Sequence, residues 1–270
     1  MCELLAMSCR YPARLTFSLA ALANRAKLPS RNQDGWGMAY YQERDVALYR
    51  DTASADTHPL VDWLMNNGPA TKTAIGYIRH STQGSISLAN TGPFLRELNG
   101  RVHTFIHNGN LHCSDRFRAT GNSRFMPIGE TDSELAFCEL LEQIAALHQG
   151  AGELASLDAR MNVLSNLARQ FRDCGPSNFL YSDGDTLFVH ADQRHQNLTG
   201  LMGSPALHYF ECYSNEIPGL VCEAEPPFAA NDQKVILLAT VPLSDHGWQP
   251  LQRGQLLALQ DGVIAASNSL

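Results

Sequence analysis

Short apolar, β-branched and aromatic runs recur along the whole chain: CELLAMS, WGMAYY, VALYR, TAIGYIR, VHTFIH, NFLYS, TLFVHA, LHYFECY, VILLATV and QLLALQ. Their length and composition predict strands. Turn signals separate many of them, with PSRNQDG before WGMAYY, SDGD between NFLYS and TLFVHA, and QDG after QLLALQ. Three stretches have helical spacing instead: 15–27, 131–149 and 153–172. In the second, Thr131 and Glu134 match a capping box. Behind them Phe137, Leu140, Leu141, Ile144 and Leu147 keep to one helical face. Strands cluster rather than alternate with helices, which favours α+β over a doubly wound parallel sheet. The stretch EAEPPFAANDQ (223–233) reads as a long loop inside one domain.

Composition narrows the function classes. At 270 residues, with 44% hydrophobic and 17% charged positions, the chain can bury a full core and is no disordered polymer. A net charge of -7 without a basic run speaks against a nucleic-acid partner. No apolar run reaches membrane-spanning length, so no membrane association is expected. The cysteines are seven, scattered and without a CxxC pair; this predicts reduced thiols and a cytoplasmic protein rather than a disulfide framework or zinc site. His103, His107 and His112, with adjacent Cys113, lack an acidic partner at metal-ligand spacing. No metal and no cofactor are expected.

Four positions carry candidate chemistry. Cys2 follows the initiator Met. Trimming of Met1 would put a thiol and a free amine on one residue, and that amine, with a pKa of about 8, can act as the base for the thiol. A buried strand cysteine is the plainer alternative. In IRHSTQG (78–84), Arg79 ends an apolar strand and can clamp a carboxylate through two parallel hydrogen bonds, with Thr82 and Gln83 adding neutral polar groups. A strand-end arginine facing solvent is the alternative. In FIHNGNL (105–111), Asn108-Gly109 suits either a hairpin turn or an oxyanion hole made of the Asn108 amide and the Gly109 N–H. In IGETDSE (128–134), Asp132 either serves the helix macrodipole or receives a substrate ammonium.

Taken in order, the signals form a set: Cys2, DGWG, Arg79 with the STQG turn, Asn90 to Phe94, His107-Asn108-Gly109, and Gly129 to Asp132. This succession, within residues 2–134, resembles the class II glutamine amidotransferases, the N-terminal-cysteine branch of the N-terminal-nucleophile hydrolases, and most of all their stand-alone subgroup. The resemblance implies a four-layer αββα sandwich of two antiparallel sheets, in one domain over 2–270. It implies that Cys2 attacks the glutamine side-chain amide with its own amine as base. Asn108 and Gly109 would stabilise the oxyanion. Arg79, Thr82 and Gln83 would hold the α-carboxylate, and Asp132 the α-ammonium. Ammonia would leave, and water would release glutamate from a γ-glutamyl thioester. The partners implied are a small-molecule substrate and a possible separate ammonia-accepting enzyme. A γ-glutamyl amide or peptide hydrolase is the alternative, and a non-catalytic γ-glutamyl-binding protein a more distant one. Two departures bear on substrate. His80 stands where many members have Trp and Gln83 where they have His, and Gly92 replaces the His of an Asn-x-His-Pro element. A glycine there is expected to open space for a group larger than glutamine.

Overall fold

The structure is a computed structural model. It describes residues 1–15, 17–24, 33–117, 123–148, 150, 152–196, 200–214, 221–222, 233–245 and 247–270. The loop expected at 223–233 lies outside these residues except for Gln233, as does the first part of PSRNQDG.

Among the described residues, eight strands form one antiparallel sheet. They are β1 (Glu3–Arg14), β2 (Trp36–Gln42), β3 (Asp45–Asp51), β4 (Thr71–Ile78), β11 (His208–Tyr213), β12 (Val221–Cys222), β13 (Lys234–Ala239) and β14 (Gln249–Pro250). The sheet order is β14-β11-β13-β1-β4-β2-β3, with β12 beside β1. Six more form a second antiparallel sheet in the order β16-β15-β8-β7-β6-β5. These are β5 (Phe94–Leu98), β6 (Arg101–Gly109), β7 (Ser177–Ser182), β8 (Leu187–His190), β15 (Gln255–Gln260) and β16 (Val263–Ser269). A small ribbon pairs β9 (Arg194–His195) with β10 (Met202–Gly203). The helices are α1 (Phe17–Asn24), α2 (Pro59–Asn67), α3 (Asp132–Ala145) and α4 (Leu157–Cys174).

The alternation of side chains along each strand builds the layers. From β1, Leu4 and Ala6 enter a core shared with Ile106, Leu180, Val189 and Leu257 of the second sheet. Their neighbours Leu5 and Met7 point the other way, into a core with Leu22 of α1 and Val61 and Leu64 of α2. On the far side, α3 and α4 pack Phe137, Leu140, Leu164 and Phe171 against Phe105, Phe179 and Phe188. Three apolar layers therefore separate helix, sheet, sheet and helix, which is the αββα sandwich. Central strands buried on both faces read as unbroken apolar runs, as CELLAMS does.

The ten expected strands are all present. Helix α3 begins at Asp132, with the Thr131 hydroxyl accepting from the Glu134 N–H at 3.2 Å. Only that half of the capping box forms. The Glu134 carboxylate turns away to Arg96 (2.5 Å) and to the N–H groups of Ile128 and Gly129. Sequence reading missed α2, which is short, capped by His58 rather than a usual N-cap residue, and buries only Val61 and Leu64. It also missed β5, interrupted by Arg96-Glu97, and β16, a largely exposed edge strand.

One cysteine expectation is corrected. Cys113 and Cys174 form a disulfide, leaving Cys2, Cys9, Cys138 and Cys212 free among the described residues. The 61-residue separation hid it; a backbone hydrogen bond from His112 to the Cys174 carbonyl (2.9 Å) brings the two ends together. With this bond formed, the cysteines do not indicate a reducing compartment. No described helix is long and apolar enough to cross a membrane.

Candidate active site

The site lies where β1 begins and β4 and β6 end. The register pairs Glu3 with Ile78 and Leu4 with Tyr77, so Cys2 falls beside the last residues of β4. The Cys2 Sγ accepts a hydrogen bond from the Tyr77 hydroxyl at 3.0 Å and from the His80 N–H at 3.3 Å. Burial pushes the thiol up in pKa, and the Tyr77 and His80 hydrogen bonds and the Arg79 charge work against that. Tyr77 itself is pushed well above the ordinary tyrosine value by burial, so at neutral pH it is a donor to sulfur.

A buried ion pair fixes the start of β1. Arg194 donates from Nη1 and Nη2 to both Glu3 carboxylate oxygens at 3.1 Å each. Thr240 donates its hydroxyl to the same carboxylate and accepts from the Leu4 N–H at 3.2 Å. The position of Cys2 is thus held from the next residue along. Met1 lies over this ribbon, its Sδ accepting from the His195 N–H at 3.1 Å.

Asn108 is fully buried, and its Nδ2 donates to the Cys2 carbonyl. Asn108-Gly109 is not a hairpin turn: both residues belong to β6 and pair with Asn178 and Ser177 of β7. Asn178 donates to the Asn108 carbonyl at 3.0 Å and so fixes its backbone. A Cβ at Gly109 would collide with the Pro176 carbonyl oxygen, which makes the glycine obligatory. The hairpin turn of this region falls earlier, at Asn99-Gly100, where φ is 55° and 74°.

Arg79 is 2% exposed, so it is no solvent-facing arginine. Its Nη1 donates to the Ser85 carbonyl (3.1 Å), and its Nη2 to the Gln83 carbonyl (3.1 Å) and the Ser81 hydroxyl (3.3 Å). The guanidinium thereby folds the STQG turn around itself. Gln83 Nε2 donates to Asn110 Oδ1, bridging the turn to the end of β6, while Thr82 is exposed. DGWG braces the same turn from behind. Gly35, at φ 130°, accepts from the Arg79 N–H at 2.8 Å, and Asp34 accepts from the Ser81 N–H at 2.7 Å.

The remaining motifs interlock. Asn90 donates to the Ser85 carbonyl (3.0 Å) and accepts from the Glu130 N–H (2.7 Å), tying the Arg79 turn to GETDSE. Asp132 is 6% exposed and accepts from the N–H groups of Leu111 (2.7 Å) and Ser133 (2.9 Å). Beside it His107 bonds the Ser133 hydroxyl through Nδ1 at 2.9 Å; burial lowers its pKa against the pull of Asp132, favouring the neutral ring.

One cleft gathers Cys2, Arg79, Thr82, Gln83, Gly109 and Asp132, six of the seven expected residues, and adds Tyr77 and His107 to them. Asn108 adjoins it through Cys2. The free space is about 20 Å³, roughly the room one water needs. Among the described residues no cluster of His, Cys, Asp or Glu could hold a metal. The expectation at Gly92 fails: a Cβ there would meet the Tyr77 ring at 3.2 Å and Ile106 at 3.3 Å. The missing side chain is replaced by core packing rather than by open space. Tyr77, Asn178 and the Glu3–Arg194 pair escaped sequence reading because each sits inside or beside an apolar run that reads simply as core.

A cysteine at position 2, a buried arginine, an Asn-Gly strand end and a helix-start aspartate around one cleft, on an αββα sandwich, define an N-terminal-nucleophile amidotransferase architecture. The family model for glutamine amidotransferases class-II matches residues 1–270. The chain is 30% identical over 268 residues to a Haemophilus influenzae protein provisionally named a glutamine amidotransferase, covering 97% of this chain and 85% of that one. Among solved structures it is similar to a crystallised predicted glutamine amidotransferase from Pseudomonas aeruginosa (29% identity, 98% and 99% of the two chains, TM-score 0.67). It also shares its fold with the glutamine phosphoribosylpyrophosphate amidotransferase of B. subtilis, at 16% identity and TM-score 0.57 over 99% of this chain and 49% of that one. The chain belongs to the class II glutamine amidotransferase family.

Proposed function

We propose that this protein hydrolyses the side-chain amide of glutamine through a γ-glutamyl thioester on Cys2, acting as one domain over residues 2–270. The observation that carries the reading is the grouping of Cys2, Arg79, Gly109 and Asp132 on one cleft, with the Asn108 amide on the backbone of Cys2. Removal of Met1 frees the α-amine of Cys2, which takes the thiol proton, directly or through a water. The thiolate attacks the amide carbon. The Asn108 amide and Gly109 N–H receive the charge on oxygen. The amine returns its proton to the leaving nitrogen, ammonia departs, and water attacks the thioester to release glutamate. Arg79, with Thr82 and Gln83, holds the α-carboxylate, and Asp132 the α-ammonium. The ammonia is either released or passed to an accepting enzyme.

Two features refine the reading. The Gln83–Asn110 hydrogen bond joins the STQG turn to the end of β6 at this cleft, so the turn that carries Arg79 is held against the strand that carries Asn108 and Gly109. The γ-glutamyl amide alternative draws no support from Gly92, whose surroundings are packed. The test is turnover of glutamine, γ-glutamyl amides and glutathione, followed by ammonia and glutamate, with Cys2→Ala alongside. Glutamine turnover that disappears in Cys2→Ala supports the proposal; equal turnover by Cys2→Ala defeats it.

A further inference from the structure

The sandwich has a second opening at the end opposite Cys2. It lies between the β2–β3 turn, the starts of β4 and β6, and the β7–β8 turn, and encloses about 560 Å³. Thr71 and Arg79 bracket β4, so the two openings stand roughly 25 Å apart along the strand. Tyr41, Thr71 and Gly184 contribute to its walls, and Arg44, Lys72 and Arg101 line it.

The two arginines have no work inside the protein. Neither the Arg44 nor the Arg101 guanidinium makes a hydrogen bond or ion pair with any described residue, and the Arg101 Nε is buried without a partner. Arg101 is half-buried and Arg44 is exposed. Guanidinium groups as buried as Arg101 elsewhere have partners: Arg96 holds Glu134, Arg160 holds Asp183, Arg172 bonds the Leu270 carbonyl, and Arg194 holds Glu3. Withdrawing part of a guanidinium from water without a compensating anion is unfavourable. This happens at the Arg101 Nε, in a chain of net charge -7, while Arg44 stands in water at the mouth of the opening. The opposing charges are few. Glu43 is the one carboxylate lining the opening among the described residues, and it is exposed. Lys72 is engaged with Asp261 at 3.0 Å, with both groups open to water.

We propose that this opening binds a small organic or inorganic anion whose phosphate or carboxylate oxygens sit between Arg44 and Arg101. Planar guanidinium groups suit both oxyanions. The site is separate from the Cys2 cleft, so its occupancy can be read without turnover.

Calorimetric titration of the full-length protein with inorganic phosphate, pyrophosphate and citrate tests this, with Arg101→Gln, Arg44→Gln and, as a control for loss of charge alone, Arg169→Gln on exposed helix surface. The expected result is one-to-one binding of at least one of the three anions, weakened about tenfold or more by Arg101→Gln and by Arg44→Gln, and unchanged by Arg169→Gln. Preference for pyrophosphate or phosphate over citrate identifies a phosphorylated ligand, and the reverse a carboxylate. Binding of none of the three overturns the proposal. So does binding that Arg101→Gln and Arg44→Gln both leave intact, or that Arg169→Gln weakens equally.

Discussion

Tyr77 and Asn108 act on different atoms of Cys2, one on the sulfur and one on the carbonyl. Their removal should have different signatures. Tyr77→Phe deletes a hydrogen bond that stabilises the thiolate, so the thiol pKa rises further. Alkylation of Cys2 by iodoacetamide, followed against pH, should show its rising limb moved to higher pH; an unmoved limb would mean the hydroxyl does not reach the sulfur. Asn108→Ala should lower kcat by about a hundred- to a thousand-fold with little change in KM, as loss of one oxyanion donor does. Steady-state glutaminase kinetics check this, and a rise in KM alone would reassign Asn108 to substrate binding. At this scale the sequence displayed the candidate side chains but not their supports. Cys2, Arg79, Gly109 and Asp132 stood out because polar or special residues interrupted apolar patterns. Tyr77 did not, because TAIGYIR reads as one buried strand whichever way the tyrosine points.

At the scale of elements, the site depends on how strand ends are pinned. The Glu3–Arg194 pair is almost wholly buried, so removing one partner leaves the other charge unpaired in the interior. Arg194→Met should cost about 3–5 kcal/mol in urea unfolding, and Cys2 should become less ordered with it. A cost near zero would mean that the pair contributes nothing to the fold. The Cys113–Cys174 disulfide ties the loop after β6 to the end of α4 and closes a loop of about sixty residues. The double substitution Cys113→Ser, Cys174→Ser should lower stability by about 2–4 kcal/mol, measured the same way with and without reductant. If reductant destabilises the double variant as much as the parent, the effect does not come from this bond. Strands were legible here because their apolar runs are continuous. Helix α2 was not, since a His cap and two buried residues leave no strong helical pattern.

At the scale of the whole molecule, three apolar layers account for the architecture, and a set of buried neutral histidines comes with them. Burial pushes His103 down to about 4 and His190 to about 3. Their pKa values are therefore lower in the folded state than in the unfolded chain, where histidine titrates near 6.5. The unfolded state binds protons first as pH falls, so stability is full above about pH 6.5 and declines from there toward pH 4. Denaturation midpoints taken across that range should fall with pH. A flat profile would show that these rings are hydrated or charged in the folded protein. The class α+β was readable from clustered strands, but the pairing of two sheets face to face was not, because that depends on contacts between residues as distant as Leu4 and Leu257. The resemblance to a known family supplied what periodicity lacked.

In the proposed mechanism the thiol of Cys2 carries the γ-glutamyl group. This is tested most directly on protein whose intact mass shows Met1 removed. Glutamine is added, turnover is quenched in acid, and the N-terminal peptide is mapped by mass spectrometry, with Cys2→Ser run in parallel. The expected result is a γ-glutamyl adduct on Cys2 that hydroxylamine discharges, together with ammonia release that Cys2→Ser abolishes. Ammonia release at the parental rate from Cys2→Ser, with no adduct on Cys2 in the parent, would contradict it.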